Sequence, residues 1–74
     1  MTLDEVKIGQ ECSIVDVQAE GALGQRLLDM GFVPGTRIKV IRNAPLVDPV
    51  EIFMKGYFLS LRHVEAKAVE VVLL

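Results

Sequence analysis

The hydrophobic pattern of the chain changes period once. Between Ala22 and Met30, apolar residues Leu23, Leu27 and Met30 recur at i, i+4 and i+7, one face of a helix, and Leu28 widens the stripe. Gly31 follows where a left-handed C′ residue is needed, because only glycine takes positive φ without a Cβ clash. Phe32 at C″ is then placed to pack back on Leu27, the apolar contact of a Schellman ending. Val33-Pro34-Gly35-Thr36 fits a type II turn, with proline fixing φ at the second position and glycine supplying positive φ at the third. The pattern predicts a helix over Ala22–Met30 with its stop signal attached.

Elsewhere the apolar residues alternate. Cys12–Val17 is rich in β-formers and predicts a strand, with Ile14 and Val15 offering apolar side chains to both faces. In Thr36–Arg42, Ile38 and Val40 point one way and Arg37, Lys39 and Ile41 the other. Val50, Ile52 and Met54 alternate with Glu51 and Phe53; Lys55-Gly56 is a tight hairpin turn; Tyr57, Leu59 and Leu61 alternate back. Val69, Val71 and Leu73 form a last strand. Two short helical turns complete the set. Thr2-Leu3-Asp4-Glu5 is a capping box starting a turn that Gly9 should end, and Arg62–Ala66 is a second turn. Asn43–Pro49 contains two prolines and is expected to be a stiff loop rather than strand. Five short strands, tight turns and one helix predict a mainly β fold: a small, partly open SH3-like five-stranded barrel with one inserted short α-helix. Residues 1–74 are expected to form a single domain. An OB-like barrel fits the hydrophobic pattern equally, but the short hairpins and the late turn before the last strand favour the SH3-like form.

Composition adds a surplus. A chain of 74 residues buries only about 60% of its unfolded surface, yet 51% of its residues are hydrophobic and its mean hydropathy is +0.42. Either apolar residues are scattered over the surface or a contiguous patch serves a partner. The net charge of −2 and pI of about 5.2 argue against nucleic-acid binding. Charge is unevenly spread: Asp4, Glu5, Glu11, Asp16 and Glu20 make the first part acidic, and Arg26, Arg37, Lys39 and Arg42 make the middle basic. Arg37 and Lys39 share one strand face, either as solvated charge or as a docking site for an acidic surface. A single cysteine, Cys12, allows no internal disulfide and fits a reducing compartment. No run approaches a membrane span, and Met1–Lys7 lacks a signal-peptide layout. A soluble cytoplasmic protein without direct membrane insertion is expected.

Catalytic chemistry is hard to find. His63 is the only histidine, and Cys12 lies in an apolar strand where a thiol is better read as a small core hydrophobe than as a nucleophile. Ser60 belongs to a strand or cap, and no glycine-rich phosphate loop is present. One Cys and one His cannot close a tetrahedral metal site, although a loose surface site with His63 and Glu65 stays open. Neither enzyme activity nor a cofactor is expected. Binding residues are better candidates. Leu46 and Val47 sit at a tip between Pro45 and Pro49, where they either dock a partner or fold over the open end of the barrel. Asp29 carries a negative charge at a helix C-terminus, unfavourable unless paired with Arg26 or the following turn; otherwise it is a docking contact.

Three segments, LLDMGFVPGT, RNAPLVDPVEI and KGYFLSLRHVEA, resemble the FeoA family in that order, and the match runs from Thr2 to about Val72. Leu27, Leu28, Asp29, Gly31, Pro34 and Gly35 match the helix and turn; Ala44, Pro45, Leu46, Asp48 and Pro49 match the loop; Gly56, Leu59, Ser60, Leu61, Arg62 and Ala66 match the last hairpin. Val47 departs from the family, whose members often carry glycine there. The resemblance implies an SH3-like barrel and a role as a small cytoplasmic accessory protein of ferrous iron uptake. It implies contact with the cytoplasmic part of a FeoB-type GTPase transporter, here through Leu46, Val47, Asp48, Arg37, Lys39, Arg26 and Asp29. A transition-metal-binding or metal-sensing module is the alternative, and weak homo-oligomer formation stays open beside both.

Overall fold

The computed structural model describes residues 1–74. A single 3-10 turn, Leu3–Glu5, precedes strand β1 (Glu11–Val17). Helix α1 (Gly21–Asp29) follows, then β2 (Arg37–Ala44), β3 (Val47–Met54) and β4 (Tyr57–Leu61). A one-turn helix α2 (His63–Ala66) leads into β5 (Val69–Leu73). The strands form one antiparallel sheet in the order β4-β3-β2-β1-β5, open between β4 and β5. Its inner face supplies Cys12, Ile14, Ile38, Val40, Val50, Ile52, Met54, Leu61, Val69 and Val71 to one core cluster. Leu3 and Val6 from the N-terminal turn, Leu27 and Phe32 from the α1 segment, and Ala66 from α2 complete that cluster. This is the expected partly open five-stranded β architecture with an inserted helix, and none of its helices is long and apolar enough to cross a membrane.

The helix ending matches its sequence signal. The Phe32 N–H donates to Leu27 O at 3.0 Å and the Gly31 N–H to Leu28 O at 2.9 Å, the paired bonds of a Schellman motif. Gly31 has φ +97°, and both Leu27 and Phe32 are fully buried. The Thr36 N–H closes the next turn on Val33 O at 3.1 Å while Gly35 supplies φ +89°. At the other end of α1, Gly24 is required by space rather than by φ: a Cβ there would lie 2.4 Å from Ala19 O.

Four expectations are corrected. Leu28 does not widen the buried stripe; it is 49% exposed, because α1 turns Gly24 and Leu27 into the core, with Leu23 and Met30 half-buried beside them, and Leu28 away from it. The N-terminal turn ends at Val6, not at Gly9, although Glu5 does reach back to accept the Thr2 N–H at 2.8 Å. Val15 is 43% exposed, so β1 is covered on one face at that point. The segment Asn43–Pro49 is not a loop. β2 continues to Ala44 and β3 begins at Val47, with Ala44 paired to Val47 across a two-residue turn of Pro45 and Leu46. Pro49 is tolerated within β3 because β4 pairs only from Val50 onward, and the β2 register is irregular between Arg42 and Ala44, so no ladder bond needs its missing N–H.

Gly31→Ala is expected to destabilise the fold by about 1 kcal/mol or more, because it forces a side chain into a left-handed conformation with Lys55 Nζ 3.1 Å from the new Cβ. An unchanged midpoint in thermal or urea unfolding would show that the helix ending does not depend on glycine.

Candidate functional site

The β2–β3 hairpin tip is the most exposed apolar feature on the molecule. Leu46 is 100% exposed and Val47 58%, so Leu46 does not fold over the barrel end. Leu46 also holds φ +63°, a conformation natural for glycine and unfavourable for leucine. The backbone bends this sharply because the turn is only two residues long and its first residue is proline.

The base of the tip is tied down from α2. The His63 Nε2 lies 3.1 Å from Ala44 O and 3.0 Å from Val47 O, so a proton on that nitrogen is shared between the two carbonyls flanking the turn. The His63 backbone N–H, at the first position of α2, donates to Asp48 Oδ1 at 2.8 Å. Asp48, expected to face a partner, thus has a carboxylate oxygen committed within the molecule. A second carboxylate works on the same helix: Glu65 Oε1 accepts the Arg62 N–H at 2.8 Å, and Glu65 Oε2 meets Arg26 at 3.3 Å. Glu65 is 5% exposed, so this pair joins α1 to α2 with one partner nearly buried.

That geometry corrects the expected Arg26–Asp29 pair. Arg26 turns to Glu65, and Asp29 instead accepts from Gln25 Nε2 at 2.8 Å on the solvent side. Arg37 and Lys39 are both exposed on the outer face of β2 as expected. Glu11 of β1 pairs in register with Lys39 and lies 3.8 Å from Arg37 through its carboxylate, which offsets part of their charge.

Two further ties were invisible in the sequence. The Tyr57 hydroxyl donates to Met30 O at 2.9 Å and fixes the β3–β4 hairpin to the end of α1. Asn43 Nδ2 donates to Asp4 O at 2.8 Å and Val6 O at 2.9 Å, holding the N-terminal turn on β2. Only the spacing of an Asn among strand residues could have hinted at the second, and nothing local marks the first.

The titratable chemistry is modest. Burial pushes the Cys12 thiol up to about 11, opposite to what a nucleophile needs. The Thr2 N–H and hydroxyl hold the Glu5 carboxyl below its ordinary value. No three side chains among His, Cys, Asp and Glu converge to hold a metal ion. The residues present do not fit a closed metal site: Cys12 is in the core, Glu65 is bonded to Arg26 and Arg62, and His63 Nε2 faces two carbonyls. What the geometry offers is an apolar projection on a small scaffold, tied at its base to α2.

The family model described as FeoA domain matches residues 1–73. The chain belongs to the FeoA family. It is 42% identical over 74 residues to the Fe(2+) transport protein A/Fe(2+) transporter FeoB fusion protein of Porphyromonas gingivalis, covering all of this chain and 9% of that protein. It therefore corresponds to a small fraction of that relative's length. Among solved structures, the solution structure of FeoA from Chlorobium tepidum superposes with a TM-score of 0.88 at 42% identity, covering 100% of this chain and 70% of that one. FeoA of Stenotrophomonas maltophilia complexed with zinc, described as a prokaryotic SH3 domain protein, gives a TM-score of 0.87 at 30% identity, covering 97% and 89%. FeoA proteins are associated with ferrous iron transport.

The His63 clamp is testable in this FeoA protein. His63→Ala should raise amide exchange at Leu46 and Val47 and lower overall stability by about 1 kcal/mol, the net worth of the lost hydrogen bonds. Unaltered exchange at those amides would show that proline and the strand ladder hold the tip without the ring.

Proposed function

We propose that this protein is a cytoplasmic accessory factor of ferrous iron uptake that acts by docking on the cytoplasmic part of a FeoB-type transporter. The observation that carries this reading is the fusion of a similar segment to FeoB in the Porphyromonas gingivalis relative. A domain joined covalently to the transporter in one organism works beside it, and a separate chain needs its own contact surface to do the same.

The surface is the hairpin tip. Leu46 and Val47 form the apolar contact, held in place before binding by Pro45, by the β2–β3 ladder and by His63, so little ordering entropy is lost on docking. Arg37 and Lys39 lie on the same hairpin and steer encounter with an acidic surface, with Glu11 moderating their field. Arg26 and Asp29, on the exposed side of α1, form the second candidate contact. Asp48 contributes by orienting α2 against the hairpin.

Two substitutions at one position separate docking from folding. Leu46→Ser should weaken binding to the transporter's cytoplasmic domain by about 1–2 kcal/mol, from lost apolar contact. Leu46→Gly should weaken binding similarly but raise stability by about 1 kcal/mol, because glycine relieves the positive φ. Arg37→Glu with Lys39→Glu should mainly slow association and flatten its salt dependence. Binding measured at two salt concentrations, with circular dichroism as the folding control, checks all three. If both Leu46 variants stay folded and bind as the parent does, the tip is not the docking site.

The metal-binding alternative has the zinc complex of the Stenotrophomonas maltophilia relative in its favour. Calorimetric titration with Zn²⁺, and with Fe²⁺ under anaerobic conditions, should give weak or no binding to this chain, given its scattered donors. A submicromolar site abolished by His63→Ala would reverse the order of the two readings.

A further inference from the structure

The two edges of the sheet are treated differently. Along β5, the N-terminal segment covers the edge: the Val71 N–H donates to Met1 O at 2.8 Å, and Thr2 bridges to Glu70. Along β4, nothing does. β3 is the only strand paired with it, and its register from Met54–Tyr57 to Val50–Leu61 runs without a bulge. The strand itself, Tyr57-Phe58-Leu59-Ser60-Leu61, contains no charge and no proline. These are the devices by which edge strands ordinarily avoid pairing with other chains, and β4 has none of them.

The turn fixes which backbone groups are free. Lys55 and Gly56 both have positive φ, at 54° and 86°, so the hairpin closes on Met54 and Tyr57 as a hydrogen-bonded pair. Antiparallel alternation then directs the N–H and C=O of Leu59 and Leu61 toward β3, and those of Phe58 and Ser60 outward. Neither Phe58 nor Ser60 takes part in any backbone hydrogen bond outside the strand ladders. The side chain above this free edge is also uncovered. Phe58 is 70% exposed and packs edge-to-face on Phe53, with ring centroids 4.9 Å apart.

The charges at the ends of β4 decide what pairs with it. Lys55 precedes the strand and Arg62 follows it, and Lys39 lies beside Phe53 in the β2–β3 register. Glu51, opposite Ser60, is itself opposite Arg42. In the antiparallel register that pairs all five residues of two copies about Leu59, Lys55 of one copy comes within a residue of Arg62 of the other, at both ends. Like charges so placed oppose self-pairing. A foreign strand with carboxylates at its ends meets opposite charge instead.

We propose that the β4 edge is a second docking surface, which takes an extended segment of a partner protein as a sixth strand, with alternating apolar residues and acidic ends. Backbone bonds form to Phe58 and Ser60, the alternate apolar side chains of the added strand lie on one face beside exposed Phe58, and the acidic ends meet Lys55 and Arg62. The surface is independent of the hairpin tip, and its test leaves the tip untouched.

The probe is the synthetic peptide Asp-Asp-Val-Thr-Val-Thr-Val-Asp-Asp, with a counterpart carrying lysine in place of each aspartate. Amide exchange and chemical shifts of the full chain are followed during titration. The expected result is protection of the Phe58 and Ser60 amides, no change in the already bonded Leu59 and Leu61 amides, and affinity at least about tenfold higher for the acidic peptide. Ser60→Pro removes an outward N–H that the β3 ladder does not use and should abolish protection at Phe58. If that variant does not fold, Phe58→Glu serves, with an expected loss of at least about tenfold. Leu46→Ser should bind the peptide as the parent does. Equal binding of both peptides, or unprotected Phe58 and Ser60 amides at saturating acidic peptide, overturns the proposal. Concentration-dependent protection of these amides without peptide overturns it in favour of a second copy of the chain.

Discussion

The structure depends on covering one apolar face of a curved five-stranded sheet with very little chain. Ten inner-face residues from the strands cannot exclude water alone, because the sheet does not close between β4 and β5. The open ends are plugged by short segments that each contribute one or two buried side chains: Leu3 and Val6, Leu27 and Phe32, and Ala66. Burying one large apolar side chain is worth about 1.5–3 kcal/mol, a large share of the stability of so small a protein. The placement of Phe32 by the Schellman ending is therefore a condition for the core rather than a local detail.

Plugs this short cannot hold themselves in place by packing, and polar ties do that work. Asn43 fixes the N-terminal turn by two backbone carbonyls. Tyr57 ties the far hairpin to the end of α1. Glu65 joins α2 to α1 through Arg26 while also capping its own helix. Because Glu65 is almost buried, removing Arg26 would leave a carboxylate with less compensation than it has in water, so the pair specifies how the two helices meet more than it adds net stability. The consequence for function is rigidity: the β2–β3 tip stands on a base held by a strand ladder, a proline and His63.

What the sequence disclosed follows from how local each cause is. The end of α1 was legible because glycine at Gly31 and Gly35 answers to φ, and φ is decided within a few residues. The alternation of Ile38 and Val40, or of Val50, Ile52 and Met54, was legible because a half-buried strand has period two. Pro49 misled because the meaning of a proline depends on whether a neighbouring strand needs its N–H, which is set by where β4 begins. Arg26 misled for a similar reason: its nearest acidic residue in sequence was Asp29, but the fold brought Glu65 to it from another element. The apolar character of the tip was legible as Leu46 and Val47 between prolines, but its exposure was not, because the same residues would suit a lid over the open end of the barrel. The three hydrogen bonds that tie it to α2 were not legible either, because they join residues 15 to 19 apart in sequence.

The proposed docking role of the tip rests on the energetics of Leu46. Its side chain lies wholly in solvent and contributes nothing to the core. Its backbone sits at φ +63°, where any side chain costs about 1–2 kcal/mol relative to glycine. A protein selected for stability alone gains by placing glycine there, as the β3–β4 turn does at Gly56, although not at Lys55, whose φ is +54°. Leucine at this position thus carries an unfavourable backbone and an unfavourable hydration term together, and burial against a partner, as proposed, would offset both. The same reasoning applies less strongly to Val47, which is 58% exposed but lies at the start of β3 in ordinary strand pairing with Ala44. Within the tip, the energetic case for a partner therefore rests chiefly on Leu46, and Val47 widens the apolar area around it.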